Sequence, residues 1–431
     1  MVSALHSLFR IWRPKKMMAR PEKVNMNALS KPELLTDSKD SIGDFQILPL
    51  ARSGHRCFCT GDHFYVVGGY NPSYRGKMIN DVWCLNLLTR RWKRVKLDKE
   101  LPHTLASFSL SYVDELGTFY LYGGTGFPFG QTISTDLYAC TLVKPDECSV
   151  RKIPIDNPKS APVVYGHSAV HRYINGNFTE VYIVGGTEGA HYDMTVTKLT
   201  IFEDHARFER VSTPENEPNG RYRHESVFIG NTIVSLGGSN QLVAIPMKRL
   251  DAFDIRTLEY SKITTKPDPR WRFPRARKGH SVVQSGNFAI LFGGFDPPAT
   301  EHSDGELLSD VWCLDLRSLE WKRSNFQLPW GVFFHSAAVN QLNQVVSFGG
   351  CAQVASKRVD DTIGFHIAPP PLSYLAARVY LNFLPTTSDQ RCIITEAYCS
   401  VRGLELKNRV NSYFIERRKR VLLNYMYIKD G

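Results

Sequence analysis

The chain has 431 residues, of which 42% are hydrophobic and 22% charged, and this composition is typical of a folded globular protein rather than of a disordered chain. No stretch reaches the roughly 18 consecutive apolar residues that a membrane-spanning helix needs, so we expect no membrane association. The net charge of +11 is concentrated in the two end segments, and because the middle of the chain is nearly neutral we expect no nucleic-acid partner.

The nine cysteines are scattered along the chain and form no CxxC pair, which argues against a disulfide framework and against a zinc site. We therefore expect a protein of the cytoplasm and/or nucleus that holds no metal or other cofactor. Residues 1–43 are predicted to be a basic, disordered arm. Its positive charge ahead of Glu22 also has some character of a mitochondrial transit peptide, and that alternative stays open.

A Gly-Gly pair that follows a β-branched or aromatic run recurs about every 50 to 60 residues. The six pairs are Gly68–Gly69, Gly123–Gly124, Gly185–Gly186, Gly237–Gly238, Gly293–Gly294 and Gly349–Gly350. A histidine precedes five of the pairs, and these residues are His55, His167, His224, His280 and His335. Because the histidines occupy one position of a repeated unit, we expect a structural role for them, not a catalytic triad.

Each repeated unit predicts four short strands rich in β-branched and aromatic residues and separated by turns. An isolated four-stranded sheet would leave an apolar face exposed, so we expect the six units to pack radially. The predicted fold class is an all-β, six-bladed propeller over residues 44–368. Its last unit lacks a fourth strand, and we expect residues 44–48 to supply that strand and close the ring.

Three prolines at 369–371 end the last sheet, and an apolar stripe at helical spacing then predicts a short C-terminal α-helical extension over residues 369–410. The stripe either packs back on the propeller or is presented to another protein. Residues 411–431 are predicted to be a basic tail. Its ERRKR run at 416–420 is either a nuclear-import signal or the polar face of a terminal helix.

These repeats resemble the kelch repeat, and two motifs after them resemble protein-binding boxes. PLSYLAARVYL at 371–381 is similar to an elongin-binding BC box, with Tyr380 at a position where the box has an aliphatic residue, and FLP at 383–385 is similar to the start of a cullin-2 box. The resemblance implies that elongin B/C and cullin-2 bind this segment. The implied contact residues are Leu372, Leu375, Ala376, Tyr380, Leu381, Leu384 and Pro385.

The stretches GGTGFPFG at 123–130 and RYRHE at 221–225 are not general kelch features. They indicate a group of kelch proteins that are substrate-recognition subunits of cullin-2 RING ubiquitin ligases. The resemblance implies that one propeller face captures C-terminal peptides (C-degrons) ending in glycine, while partner subunits perform the ligase chemistry. The alternative is a non-ligase kelch scaffold or adaptor that binds cytoskeletal or signalling proteins.

The loops that enter the innermost strands of a propeller converge on one mouth of its channel, and in this chain they are rich in arginine. A guanidinium can hold a carboxylate through two parallel hydrogen bonds, so these cations are candidates for binding a peptide's C terminus. The candidates are Arg52, Arg221, Arg223, Arg275, Arg277 and Lys278, with Tyr222, Trp271, Phe127 and Phe334 as aromatic contacts. Each arginine could instead make a hydrogen bond between blades or be a solvated charge at the rim.

The sequence contains no Gly-rich phosphate loop, no GxSxG nucleophile motif and no His/Cys cluster at metal-ligand spacing. We therefore assign no catalytic residue and expect a protein that is not an enzyme. Its predicted partners are elongin B/C, cullin-2 and the C-terminal peptides of substrate proteins.

Overall fold

The computed structural model describes residues 30–35, 47–74, 78–174, 176–240, 243–298, 305–352, 357–370 and 374–375. Six sheets of four or five strands follow one another along the chain and form the six blades of a propeller, which confirms the predicted all-β fold. Short 3-10 helices are found at Asp114–Leu116, Pro158–Ser160 and Pro214–Asn216. Within the described ranges no helix has the length and apolar character to cross a membrane.

The first three blades are each built from antiparallel strands that follow one another from the channel outward. Blade I contains Arg56–Thr60, His63–Val67, Val82–Asn86 and Arg91–Arg94. Blade II contains Ser109–Val113, Thr118–Tyr122, Leu137–Lys144, Glu147–Ile153 and the parallel edge strand Lys96–Leu97. Blade III contains Ser168–Ile174, Phe178–Thr187, Tyr192–Ile201 and Ala206–Arg210.

The other three blades repeat the pattern. Blade IV contains Glu225–Ile229, Thr232–Leu236, Arg249–Asp254 and Glu259–Thr264. Blade V contains Ser281–Ser285, Phe288–Phe292, Asp310–Asp315 and Glu320–Gln327, and a small hairpin of Phe295–Asp296 and Glu306–Leu307 extends from it. Blade VI contains Ser336–Val339, Gln344–Phe348, Thr362–His366 and Glu33–Leu34.

The ring is closed by an N-terminal strand, as predicted, but the prediction that residues 44–48 form it is wrong. Glu33–Leu34 pairs antiparallel with Thr362–His366 and completes blade VI. Leu35 is buried beside Gly364, where a β-carbon would lie only 2.7 Å from its Cδ1 atom, so the glycine provides the space for this side chain. The propeller therefore includes part of the arm that we predicted to be disordered.

The core consists of hydrophobic clusters between neighbouring blades, in which large side chains fill the space that widens from the channel outward. Between blades I and II, for example, the ring of Phe58 stacks on Tyr65 at 4.6 Å and lies 4.9 Å from Phe119. Burial of each such ring stabilises the fold by about 1.5 to 3 kcal/mol. Aromatic side chains of neighbouring blades therefore help to fill the space between the blades.

The diglycines leave the space in which the repeated histidines pack. A β-carbon on Gly123 would lie 2.7 Å from His167 Cε1 of the next blade, and one on Gly186 would lie 2.9 Å from the Cβ atom of the same histidine. Both glycines have positive φ, at +69° and +109°, a region that other residues rarely adopt. In blade II, Phe108 occupies the histidine position and packs against Gly68 in the same way.

The predicted C-terminal helical extension falls mostly outside the described residues. Tyr374 and Leu375 are helical. Tyr374 is fully buried, with its ring 6.0 Å from His366, whereas Leu375 is 40% exposed. The other predicted contact residues, Leu372, Ala376, Tyr380, Leu381, Leu384 and Pro385, lie outside the described residues.

Candidate functional site at the channel mouth

Six residues, each directly before the repeated histidine or its phenylalanine counterpart, encircle one end of the channel. All six have φ between +56° and +69°. The backbone N–H of each donates to the carbonyl oxygen of its counterpart in the preceding blade over 2.7 to 3.1 Å, and the bond from blade I to blade VI closes the circle. We call this closed circle the mouth ring; its members are Gly54, Ser107, Gly166, Arg223, Gly279 and Phe334.

Three members of the mouth ring carry side chains, and these side chains meet. Arg223 Nη2 donates to the hydroxyl oxygen of Ser107, and its guanidinium carbon lies 4.3 Å from the ring centre of Phe334. At Gly279, a β-carbon would lie 2.6 Å from Phe334 Cδ1, so glycine leaves the space that this ring occupies. The guanidinium of Arg223 is thereby held beside the channel axis.

Among the described residues, Arg223 has no carboxylate at ion-pair distance. Burial lowers the pKa of its guanidinium to about 10, and the nearby charge of Arg56 acts in the same direction, although Tyr222 opposes it. Its Nε atom is buried without a hydrogen-bond partner. A part-buried cation of this kind is stabilised when an anion binds to it.

Other cations and aromatic rings surround Arg223. The Nζ atom of Lys278 lies 5.7 Å from the ring centre of Tyr222, and the guanidinium of Arg358 lies 5.6 Å from that of Tyr70. The aromatic rings form clusters of Tyr70, Phe127 and Phe129, of Tyr192 and Tyr222, and of Phe295, Phe333 and Phe334. The mouth can therefore offer positive charge at its centre and apolar surface around it.

An ion pair crosses the channel next to the mouth ring. Arg56 of blade I and Glu225 of blade IV, which stand opposite each other in a six-bladed ring, are joined by a 2.6 Å contact between Nη1 and Oε1. These two side chains line a cavity of about 140 Å³ together with the serines Ser109, Ser281 and Ser336. A ligand entering from the mouth would meet Arg223 first and this ion pair next.

Three of the arginines that we predicted to bind a carboxylate are instead structural. Arg52, Arg221 and Arg277 are buried, and each binds an aspartate and the carbonyl oxygen of the first diglycine residue within its own blade. Arg277, for example, donates to both carboxylate oxygens of Asp310, at 2.7 and 3.0 Å. The prediction is wrong for these residues because their hydrogen-bonding capacity is used inside the blade.

Two of the three blades without this arginine can be compared with blade V. Blades III and VI have Val164 and Val332 at that position, and there burial raises the pKa of the corresponding Asp193 and Asp361. In blade V, burial also raises the pKa of Asp310. The charge and hydrogen bonds of Arg277 outweigh this effect and bring the pKa of that carboxyl below its usual value. Arg277 therefore favours the ionised form of Asp310.

Two other predicted site residues also have different surroundings from those expected. Arg275 forms ion pairs with Asp296 and Glu306 of the blade V hairpin, so it already has counterions. Trp271 packs under Arg323 of the outer strand of blade V, with the guanidinium 4.2 Å from the indole ring, and not at the mouth. Tyr222, Lys278, Phe334 and Phe127 do lie among the mouth contacts, and Phe127 is 49% exposed.

Comparison with known proteins assigns the family. The KLHDC2/KLHL20/DRC7 Kelch-repeats domain matches residues 54–294 and 166–370, which together cover most of the propeller. The chain belongs to the kelch-repeat family. Kelch-domain proteins are generally non-catalytic interaction proteins.

Several kelch proteins are similar to the chain over most of its length. Human kelch domain-containing protein 10 is 30% identical over 353 residues, which is 79% of this chain and 76% of the human protein. The kelch domain-containing protein 10 homolog of Drosophila melanogaster is 29% identical, covering 78% of this chain and 58% of its own length. Bovine kelch domain-containing protein 2 is 24% identical, covering 70% and 77%.

Sequence reasoning missed Ser107, Arg56 and Glu225 of this kelch mouth, although a signal for them was present. The position before the repeated histidine is glycine in blades I, III and V, so the exceptions Ser107, Arg223 and Phe334 mark departures from the repeat. Arg56 and Glu225 likewise share one position, directly after the histidine, and have opposite charges. Pairing between opposite blades, however, becomes evident only when the ring is closed.

No group of three or more His, Cys, Asp or Glu side chains within the described ranges is placed to hold a metal ion. Burial lowers the pKa of His167, His280 and His335 to about 3, so these imidazoles are neutral at physiological pH. Their contacts with the diglycines give them a packing role.

Proposed function

We propose that this kelch protein is the substrate-recognition subunit of a cullin-2 RING ubiquitin ligase. Its channel mouth binds C-terminal peptides ending in glycine, and the segment after the propeller binds elongin B/C and cullin-2. The protein itself performs no chemistry. Holding a substrate lysine near the ubiquitin-charged partner raises the effective concentration of the reacting groups.

The observation that carries the peptide-binding proposal is Arg223, a cation next to the channel axis without a carboxylate partner among the described residues. A peptide's terminal carboxylate would supply the missing counterion. Each hydrogen bond between such charged groups contributes about 1.5 to 3 kcal/mol, and more when water is excluded. Lys278, which lies over Tyr222, supplies a second positive charge beside the same position.

Selectivity for a terminal glycine follows from the crowding around Arg223. Ser107 and Phe334 already contact this side chain, so a terminal residue with a bulky side chain would have to displace one of them. Residues further upstream in the peptide would then pack on the aromatic clusters. The cluster of Tyr70, Phe127 and Phe129 is the most exposed of these, since Phe127 and Phe129 are 49% and 46% exposed.

The ligase half of the proposal rests on the elongin and cullin-2 box resemblance and on the position of Tyr374. The buried Tyr374 anchors the start of the box segment to blade VI, within hydrogen-bonding distance of Gln344, while the neighbouring Leu375 is exposed to solvent. Leu375, one of the implied contact residues, is therefore accessible to a partner.

Two measurements test the proposal with the full chain. A glycine-ending peptide with a free carboxylate should bind at least about tenfold more tightly than the same peptide as an amide. Equal binding would overturn the carboxylate-binding mouth.

Elongin C should co-purify with the wild type and be lost in Leu372→Ser. Val243→Ser is the control, because Val243 is an exposed aliphatic residue in blade IV. Carboxylate-dependent binding without elongin association would instead identify a non-ligase kelch adaptor.

A further inference from the structure

Trp271, which does not belong to the mouth, is part of a separate surface at the outer strand of blade V. Its indole ring is 46% exposed and lies 5.0 Å from the guanidinium of Arg270 and 4.2 Å from that of Arg323. Two guanidinium groups therefore lie against the indole ring. Cation–π contacts of this kind hold a guanidinium in place while leaving its in-plane N–H groups available.

The turn that presents Trp271 is rigid. Asp268 and Arg272 exchange two backbone hydrogen bonds of 2.6 and 3.0 Å, and the Oδ1 atom of Asp268 accepts from the backbone N–H groups of Arg270 and Trp271, both at 2.8 Å. Its Oδ2 atom accepts from the backbone N–H of Arg323 at 3.1 Å. The one carboxylate in this turn is therefore held in place by backbone donors, and it supplies a single negative charge beside several cations.

The surface around the turn is strongly basic. The backbone of Lys266 forms a parallel β-bridge with Glu320 at the start of the outer strand of blade V. Burial raises the pKa of Asp268, but the backbone hydrogen bonds and the nearby charge of Lys322 bring it below its usual value. No carboxylate lies at ion-pair distance from these cations among the described residues. We define the blade V basic patch as Lys266, Arg270, Trp271, Arg272, Lys322 and Arg323.

We propose that the blade V basic patch is a second interaction surface, which binds an acidic, extended segment of a partner protein. Guanidinium groups held against an indole match carboxylates in planar geometry, and five cations in one patch favour a run of Asp and Glu side chains over a single anion. A single-stranded nucleic acid fits less well, because a base that stacks on Trp271 would have to compete with guanidinium groups already over its ring.

The test uses the full chain and a fluorescein-labelled decaglutamate peptide whose C terminus is amidated, so that a carboxylate site at the mouth plays no part. The double substitution Arg270→Ser with Arg323→Ser should weaken binding by about tenfold or more at low ionic strength. The control is Arg207→Ser with Lys159→Ser, which removes the same charge from exposed positions in blade III and in the 3-10 helix preceding it. Affinity in the control should change less than about twofold.

Two outcomes would overturn the proposal. One is equal loss of affinity in the patch variant and the control, which would show that only net charge matters. The other is tighter binding of decathymidine than of decaglutamate, with the same dependence on Arg270 and Arg323, which would make the occupant a nucleic acid. Binding of a free glycine-ending peptide, measured in parallel, should be unchanged in the patch variant, so failure at the mouth and failure at the patch are distinguishable.

Discussion

Arg221 and Arg223 are two residues apart in the chain but lie in opposite environments. Arg221 is buried inside blade IV, where it binds Asp251 and the carbonyl oxygen of Gly237. Arg223 stands at the channel mouth, binds the Ser107 hydroxyl, and has no carboxylate partner among the described residues. The difference shows that an arginine with an internal counterion maintains the blade, whereas one without a counterion can bind an anion from outside.

The largest expected effect concerns the arginines inside the blades. Arg277→Val should lower the free energy of unfolding by about 3 to 5 kcal/mol, because it leaves the buried Asp310 without its counterion. Arg223→Gly should change it by less than about 1 kcal/mol, because glycine occupies the same positive-φ position in blades I, III and V. Urea unfolding measures both.

A third variant provides the measurement if Arg277→Val alone does not fold. The double substitution Arg277→Val with Asp310→Asn removes the unpaired charge and should recover part of the lost stability. If Arg223→Gly were as destabilising as Arg277→Val, the division between structural and mouth arginines would not hold.

Peptide affinity should show the opposite pattern. Arg223→Ala should weaken binding of a free glycine-ending peptide by about thirtyfold, since it removes hydrogen bonds to the terminal carboxylate. Arg223→Lys should recover part of that affinity, because a single ammonium replaces the planar donor pair. Arg275→Ala is the matched control, as this arginine is occupied by Asp296 and Glu306, and isothermal titration calorimetry should find its affinity unchanged.

The histidines between the blades predict a dependence of stability on pH. The pKa of His167 is lowered by burial to about 3 in the folded protein, below its ordinary value near 6.5 in the unfolded chain. Stability is therefore fully present above pH 6.5 and is lost as the pH falls from there toward 3, by about 2 kcal/mol for this residue at pH 5.

His167→Phe tests this contribution, because blade II naturally has Phe108 at the same position. The variant should lose less stability than the wild type between pH 7 and pH 5. Urea unfolding measures the free energy of unfolding of both proteins at each pH. If it fell equally in the two proteins between pH 7 and pH 5, a neutral, buried imidazole at position 167 would be contradicted.

The smallest expected effect is at the aromatic rim of the mouth. Phe127→Ala should weaken peptide binding by only about fivefold, because it removes apolar contact with upstream peptide residues but leaves the carboxylate site in place. The change should be equal for peptides with free and amidated C termini. A loss confined to the free carboxylate would mean that Phe127 positions Arg223 instead.

Much of the fold could be predicted from the repeats. The diglycines and the regularly spaced histidines and aromatics define six equivalent units, and a four-stranded sheet with one apolar face has to pack against others. The closing strand could not be placed correctly because Glu33–Leu34 is a two-residue segment without a periodic pattern. Its position depends on the space that Gly364 leaves for Leu35, which no local signal in the chain reveals.

The candidate site was only partly predictable, since sequence reasoning placed all the arginines of the entry loops together. The repetition of Arg52, Arg221 and Arg277 three residues before the histidine, each with an aspartate further along its blade, indicates a structural pair in retrospect. Arg223 breaks the repeat instead of following it. Departures from a repeat are therefore a better guide to this mouth than the number of arginines.

The amino-acid sequence by itself determined the repeat, the strand pattern and the number of blades, because each depends on residues that are close together in the chain. Only the tertiary structure decided which charges have internal partners. Ser107, Arg223 and Phe334 come from blades II, IV and VI, and Arg56 meets Glu225 across the channel. Such contacts form only when the ring closes, since closure brings residues more than a hundred positions apart to within hydrogen-bonding distance.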